Sequence, residues 1–174
     1  MPAIGRPLEP SRARPGSGPW SLRPVARADA PALAHLEREL FPDEAWSLEM
    51  VLEEIAHPSR AYVAAVDEDG GVLGYAGIFL AGESADVQTI GTVREGAGIG
   101  RALLAWCEDR AREEGAESLF LEVRRDNTRA RELYERAGFV EIGVRRGYYR
   151  TPAGPVDAIV MHKPLDSPPI AEEW

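Results

Sequence analysis

GIGRALL, at Gly98–Leu104, places a Gly-x-Gly turn directly before a strongly amphipathic segment. A glycine turn at a helix start is an anion site, because free backbone N–H groups and the positive end of the helix dipole point the same way. The turn lacks the Lys-Ser/Thr of a nucleoside-triphosphate loop, and Leu103 stands where a dinucleotide fingerprint has its third glycine. The pattern is compatible with a diphosphate held by backbone N–H groups, and also with a glycine turn that serves only helix packing.

The segment LEVRRDN, at Leu121–Asn127, contains a carboxylate within an apolar strand pattern. Alternation predicts that Glu122 shares one face of the strand with Phe120 and Arg124. A carboxylate among such neighbours is either paired, for example with an arginine, or used in catalysis. The strand by itself leaves both interpretations open.

The next segment, LYERAGF at Leu133–Phe139, presents one phenol to the core of a predicted helix. Tyr134 lies at helical spacing from the apolar residues of this segment. A buried tyrosine is usually a packing residue whose hydroxyl has a hydrogen-bond partner. Asp126 and Asn127 are typical N-cap residues for this helix. A diphosphate cradle, a candidate base and a candidate acid in this order suggest a group-transfer enzyme with a nucleotide-bearing cofactor.

The composition of the 174 residues predicts one soluble, cytoplasmic domain. No apolar run reaches the roughly 20 residues that span a bilayer, and no signal-peptide pattern is present. The single cysteine, Cys107, cannot form an internal disulfide and is predicted to be a small core residue. His35, His57 and His162 have no ligand-like spacing with one another or with Cys107, so no metal site is expected.

Charge is distributed unevenly within the net value of −9. Residues 1–27 contain five arginines and one glutamate, while the remainder holds 15 basic and 28 acidic residues. Direct nucleic-acid binding is disfavoured, because it normally needs a basic patch. An acidic body favours a cationic substrate, or it simply aids solubility.

Composition and periodicity predict a disordered extension over residues 1–19, one domain over residues 20–165 and a flexible tail over residues 166–174. The predicted strands are Trp20–Val25, Ala61–Val66, Val72–Phe79, Ala85–Ile90, Ser118–Val123, Val140–Tyr149 and Val156–Lys163. The predicted helices begin at the caps Asp29 and Ser47, at Ile99 and at Asn127. Hairpin-linked strands mixed with helical crossovers predict an α+β fold, a mixed α/β sandwich with helices on both faces of a mixed sheet.

Four further segments accompany these motifs: DVQTI at Asp86–Ile90, AWS at Ala45–Ser47, RGYY at Arg146–Tyr149, and Asp157-Ala158. Together with GIGRALL, LEVR before Asn127 and LYERAGF, they resemble the Gcn5-related N-acetyltransferase (GNAT) superfamily. Within it, the likeness is greatest to the RimI-type ribosomal-protein alanine N-acetyltransferases. It covers about Leu22 to Leu165, and the combination from LEVR to the paired tyrosines is quite specific to that subfamily.

The resemblance implies a seven-strand mixed sheet with acetyl-CoA between two splayed parallel strands, Asp86–Ile90 and Ser118–Arg124. It implies Glu122 as general base and Tyr134 as general acid. The residues implied for cofactor binding are Ile90, Gly91 and Thr92 for the thioester and pantetheine, Gly98, Ile99, Gly100 and Arg101 for the pyrophosphate, and Asn127 and Tyr134. The residues implied for substrate binding are Trp46, Tyr148 and Tyr149. Since the two tyrosines are adjacent on a predicted strand, one is expected to point inward and the other outward.

One position departs from the family pattern. Three residues before the Gly-x-Gly the family usually has Gln or Arg, where this chain has Glu95, and the preceding connection is shorter than usual. A carboxylate facing a pyrophosphate would repel it. We expect Glu95 to turn to solvent and Arg94 to supply the positive charge.

The resemblance implies transfer of acetyl from acetyl-CoA to the N-terminal alanine of small-subunit ribosomal protein eighteen, or to similar N-termini. The implied partner is a basic protein or peptide N-terminus, with no direct nucleic acid, no membrane, no metal, and a monomer or weak dimer. The alternatives are an acetyltransferase for lysine or a small amine, and a binding module that holds acyl-CoA or a partner protein without turnover.

Overall fold

The computed structural model describes residues 18–166, so most of the predicted extension and tail lies outside the described residues. Within these residues, seven strands and four α-helices follow the predicted order. The strands are β1 (Trp20–Pro24), β2 (Arg60–Asp67), β3 (Val72–Ala81), β4 (Ser84–Thr92), β5 (Ser118–Arg124), β6 (Val140–Thr151) and β7 (Gly154–Pro164). The helices are α1 (Ala30–Leu40), α2 (Leu48–Ala56), α3 (Ile99–Glu113) and α4 (Thr128–Arg136). No helix within residues 18–166 is long and apolar enough to cross a membrane.

The strands form one sheet in the order β1-β2-β3-β4-β5-β7-β6. Every neighbouring pair is antiparallel except β4 and β5, which are parallel and joined by the crossover helix α3. The predicted seven-strand mixed sheet is therefore confirmed.

Two apolar clusters cover opposite faces of the sheet. One contains Leu103 and Cys107 of α3, and the other contains Leu33 of α1. Neighbouring strand residues divide between them, with Tyr62 in the second cluster and Val63 in the first, because successive side chains of a strand point to opposite faces. The prediction that Cys107 is a core residue is confirmed, since its side chain is fully buried.

The predicted cap of α1 is wrong, whereas that of α2 is confirmed. Asp29 already has helical backbone angles, and its carboxylate accepts a hydrogen bond from the Ala26 N–H at 2.7 Å and pairs with Arg23. It therefore closes a short 3₁₀ turn before α1 instead of capping the helix. Ser47 does cap α2, because its Oγ accepts a hydrogen bond from the Met50 N–H at 3.2 Å.

The parallel pair β4–β5 opens into a cleft. The two strands pair only from Ser84 to Val87 of β4, although β4 continues to Thr92 and β5 to Arg124. A bulge lies at the same place, where the pairing of β3 with β4 shifts register past Gln88. Since a bulge bends its strand, it turns the end of β4 away from β5. The splayed strands implied by the sequence are present.

Candidate active site

A cavity of about 720 Å³ opens where β4 and β5 separate. Its walls come from both strands, α1, the loop after α1, α4 and β6. Of the predicted site residues, it brings together Trp46, Ile90, Glu122, Asn127, Tyr134, Tyr148 and Tyr149. The others lie outside its lining: Gly91, Thr92, Arg94, Gly98, Ile99, Gly100 and Arg101.

Glu122 lies on the cavity side of β5, as the alternation predicts. Its neighbours Leu121 and Val123 are buried in the core, whereas the Glu122 side chain is 27% exposed. Its Oε1 pairs with Arg145 Nε of β6 at 2.9 Å. Of the two interpretations of Glu122, pairing with an arginine is thus observed. The role of base stays a prediction.

Tyr134 is buried against the other wall of the cavity, with 6% of the residue exposed. Its ring contacts Phe139 edge to face, with 6.1 Å between centroids. Burial raises the pKa of the Tyr134 phenol well above its ordinary value. The group is therefore protonated at neutral pH and able to donate.

Asn127 and Asp126 have different roles at the start of α4. Asn127 Oδ1 caps the helix by accepting a hydrogen bond from the Ala130 N–H at 3.1 Å, which confirms the predicted cap. Asp126 is not a cap, because its carboxylate is bound by the Nε and Nη2 of Arg124. Because Asn127 Oδ1 already accepts this hydrogen bond, the amide N–H₂ is the group of the side chain best placed to donate to a ligand.

The glycine turn before α3 has the geometry of an anion site. Gly98 is the N-cap residue and has φ +80°, a conformation that favours glycine. The first intrahelical hydrogen bond runs from Ala102 N to Gly98 O, so the N–H groups of Ile99, Gly100 and Arg101 have no intrahelical acceptor. These three donors are available to a phosphate.

Glu95 is turned to solvent, as expected, with its side chain 68% exposed, and it pairs with Arg129 of α4. Arg94 Nη1 donates to the Gly18 carbonyl oxygen at 3.1 Å. Sequence analysis missed Arg129, a second cation beside the glycine turn, because the pairing of this helix with the loop is visible only in the fold.

Both tyrosines of RGYY line the cavity, so the predicted inward and outward alternation is wrong. The pairing of β6 with β7 shifts register between Arg145 and Tyr149, where Gly147 has φ +59° and donates its N–H to Asp157 Oδ1 at 2.8 Å. This irregularity turns Tyr148 and Tyr149 to the same side, where their rings meet edge to face at 5.1 Å.

Sequence analysis also missed Glu37, a carboxylate that is 2% exposed and lines the cavity. It accepts hydrogen bonds from the hydroxyls of Tyr75 and Thr89, and from the Trp46 N–H at 3.2 Å. The last contact ties the loop after α1 to the helix. The sequence feature that could have revealed Glu37 was its position seven residues after Ala30, on the apolar face of α1.

We expect Arg145→Gln to lower kcat about threefold to tenfold, because Glu122 loses the contact that orients its carboxylate. The KM for acetyl-CoA should not change. Steady-state kinetics on Arg145→Gln and on Arg146→Gln, the neighbouring and exposed arginine, would measure the difference. An unchanged or higher kcat in Arg145→Gln would show that Arg145 does not position Glu122.

A seven-strand mixed sheet, a splayed parallel pair and a glycine-initiated crossover helix define an acetyltransferase fold. Residues 30–139 match the family model described as the acetyltransferase (GNAT) family, and the chain belongs to this family. The family transfers acetyl groups from acetyl-CoA, so the predicted class of enzyme is confirmed.

The chain is 39% identical over 158 residues to the N-alpha-acetyltransferase RimI of Mycobacterium tuberculosis, covering 86% of this chain and 96% of that protein. It is 47% identical over 68 residues to the [ribosomal protein bS18]-alanine N-acetyltransferase of Escherichia coli, 39% of this chain and 46% of the relative. The crystal structure of the ribosomal-protein-S18-alanine N-acetyltransferase from Escherichia coli superposes with a TM-score of 0.78 at 27% identity. That match covers 89% of this chain and 99% of the other.

Proposed function

We propose that this protein acetylates the α-amine of protein N-termini, with the N-terminal alanine of ribosomal protein S18 as the principal target. The observation that carries the proposal is the placement of Glu122 and Tyr134 in one cavity at the splay of β4 and β5. The names of the relatives support the reaction and the target. Membership of the family alone would fit a lysine or small-amine substrate as well.

The structure fits acetyl-CoA as the acetyl donor. Past Val87, the edge of β4 that faces β5 has no strand partner within residues 18–166, so backbone groups of Ile90, Gly91 and Thr92 are candidates to hold the thioester and pantetheine. The free N–H groups after Gly98 would hold the pyrophosphate. When bound, acetyl-CoA supplies an acetyl group activated as a thioester. Within residues 18–166, no group of three or more His, Cys, Asp or Glu residues is placed to hold a metal ion.

Amide formation removes two protons from the substrate ammonium and adds one to the thiolate that leaves. Glu122 is the candidate acceptor for the first proton, and Tyr134 Oη, on the other wall, is the candidate donor to the leaving thiolate. The second proton from the nitrogen would then restore the phenol. An α-amine has an ordinary pKa of about 8 and a lysine amine one of about 10.4, so the α-amine is far more easily deprotonated at pH 7. A single carboxylate is therefore sufficient for an N-terminus. Cys107 is fully buried and lies outside the cavity lining, and it has no part in this scheme.

We expect Gly98→Ala to weaken acetyl-CoA binding about tenfold. A Cβ at this position would meet no atom within 4 Å, so the cost is backbone strain at φ +80°, about 1–2 kcal/mol, which the turn relieves by shifting its N–H groups. Gly82→Ala is the matched control, because Gly82 has φ +69°, is equally open and lies in the β3–β4 turn. Calorimetric titration with acetyl-CoA should separate the two variants. Equal affinities would show that the turn does not hold the cofactor.

The proposal is tested by the rate of CoA release with two peptides that begin with alanine and contain one internal lysine. One peptide has a free α-amine and the other has it blocked by formylation. Release with the free peptide alone supports the proposed function. Equal release with both would indicate a lysine acetyltransferase, and none with either, despite acetyl-CoA binding, would indicate a small-amine enzyme or a binding module.

A further inference from the structure

Five carboxylates of residues 18–166 line the cavity. They differ in whether other side chains or backbone groups of the protein form hydrogen bonds or ion pairs with them. Three have polar partners: Glu37, Asp43 and Glu122. The other two, Glu44 and Asp86, form no side-chain hydrogen bond or ion pair within residues 18–166, and burial raises the pKa of each carboxyl above its usual range. A partly buried carboxylate without a donor favours a cationic ligand over a neutral one.

Glu44 is the more confined of the two. It lies in the loop between α1 and α2, and its Oε2 is shielded from solvent with no hydrogen-bond partner in the part of the chain that the structure describes. The nearby guanidinium of Arg124 acts on Glu44 through its positive charge, but it forms no hydrogen bond with Glu44 within residues 18–166. Arg124 Nη1 donates to Asp43 at 2.9 Å, while its Nε and Nη2 donate to Asp126 at 3.0 and 2.9 Å. Glu44 therefore lacks the donor that a buried charge requires.

Glu44 lies in the same cavity as the candidate base, and Tyr149 lies in it as well. Burial together with the negative charges of Glu44 and Glu122 raises the pKa of the Tyr149 phenol. An extended peptide advances about 3.3–3.6 Å per residue. Because Glu44 and Glu122 line one cavity, Glu44 is a candidate contact for the second residue of an acceptor whose α-amine lies at Glu122.

We propose that Glu44 determines acceptor specificity by binding a basic side chain, arginine or lysine, at the second position of the acetylated N-terminus. The inference rests on the proposed function, because it assumes a peptide α-amine at Glu122. A cationic side chain supplies the donor that Glu44 lacks, in a charge-assisted hydrogen bond. A neutral side chain pairs with it less well and an acidic one is repelled, so the same carboxylate selects for one class and against the other.

The test uses three peptides that begin with alanine, are free of other basic residues and differ only in an arginine, glutamine or glutamate at position two. kcat/KM is measured for the wild type, Glu44→Gln and Glu53→Gln. The last is a matched control, because Glu53 is an exposed residue of α2 and its replacement removes the same charge. We expect the wild type to prefer arginine over glutamine about tenfold, mainly through KM. Glu44→Gln should reduce this ratio to about 2 or less, and Glu53→Gln should preserve it.

A wild-type ratio near one, or a tenfold ratio that survives Glu44→Gln, would overturn the role of Glu44 and leave the proposed function intact. Failure of the wild type to acetylate any of the three α-amines would instead overturn the proposed function, and this inference with it. An unchanged KM for acetyl-CoA in Glu44→Gln verifies that the substitution has not disturbed the fold.

Discussion

We expect Glu122→Gln to lower kcat on an alanine N-terminus by on the order of 100-fold at pH 7, since a general base typically contributes 10²–10⁴-fold. The glutamine keeps the size of the side chain and removes the group that takes a proton from the attacking nitrogen. In addition, only the fraction of substrate that is already an unprotonated amine can react. That fraction falls about tenfold per pH unit below the ordinary α-amine pKa of about 8. The pH profile of turnover should therefore move upward, and the gap between variant and wild type should widen from pH 9 to pH 6.

Acetyl-CoA affinity in Glu122→Gln should stay close to that of the wild type, because the predicted cofactor contacts are backbone groups and Asn127. Glu141→Gln is the control, since Glu141 is an exposed glutamate on β6 and gives the same change of charge. Turnover of Glu122→Gln that equals the wild type across pH 6 to 9 would exclude Glu122 as the base. The contact with Arg145 would then be its whole role.

We expect Tyr134→Phe to lower kcat by on the order of 10²–10³-fold with acetyl-CoA binding retained, because the ring stays and only the donated proton is lost. Burial raises the pKa of this phenol, so its protonated form persists from pH 6 to 9. The loss should therefore be constant over that range, unlike the loss in Glu122→Gln. The two pH profiles distinguish an acid from a base.

Stability should change little in Tyr134→Phe, since the substitution keeps the buried ring and its edge-to-face contact with Phe139. Tyr62→Phe is a suitable control, because Tyr62 is also buried but donates to Glu54 away from the cavity. It should lose stability, about 1 kcal/mol in the free energy of unfolding, and keep its turnover. A Tyr134→Phe enzyme with more than half of wild-type kcat would remove Tyr134 from the mechanism.

The order of strands and helices could be predicted because each signal is local. Alternation in Ser118–Val123 separates the core face from the face of Glu122, and Ser47 is a cap whose donor, the Met50 N–H, lies three residues away. The same local rule gave a wrong cap prediction for Asp29, because Arg23 and the Ala26 N–H bind its carboxylate instead. A cap prediction from residue type alone does not include such competitors.

The remainder of the site depends on contacts that no local pattern encodes. The sequence indicated that Glu122 could be paired with an arginine, but its partner Arg145 lies two strands away in the sheet. Register shifts in β6 decide which of its side chains face the cavity, and they brought Tyr148 and Tyr149 to one side. The role proposed for Glu44 depends on the loop geometry, which leaves its Oε2 without a hydrogen-bond donor.

The most direct test of α-amine acetylation uses one peptide that carries both a free N-terminal alanine and an internal lysine. The wild-type enzyme and acetyl-CoA are incubated with it, and the product is fragmented in a mass spectrometer to locate the acetyl group. We predict acetyl on the α-amine and none on the lysine, with the product lost in Glu122→Gln at pH 7. Acetyl on the lysine, or a peptide left unmodified while acetyl-CoA binds, would contradict the assignment.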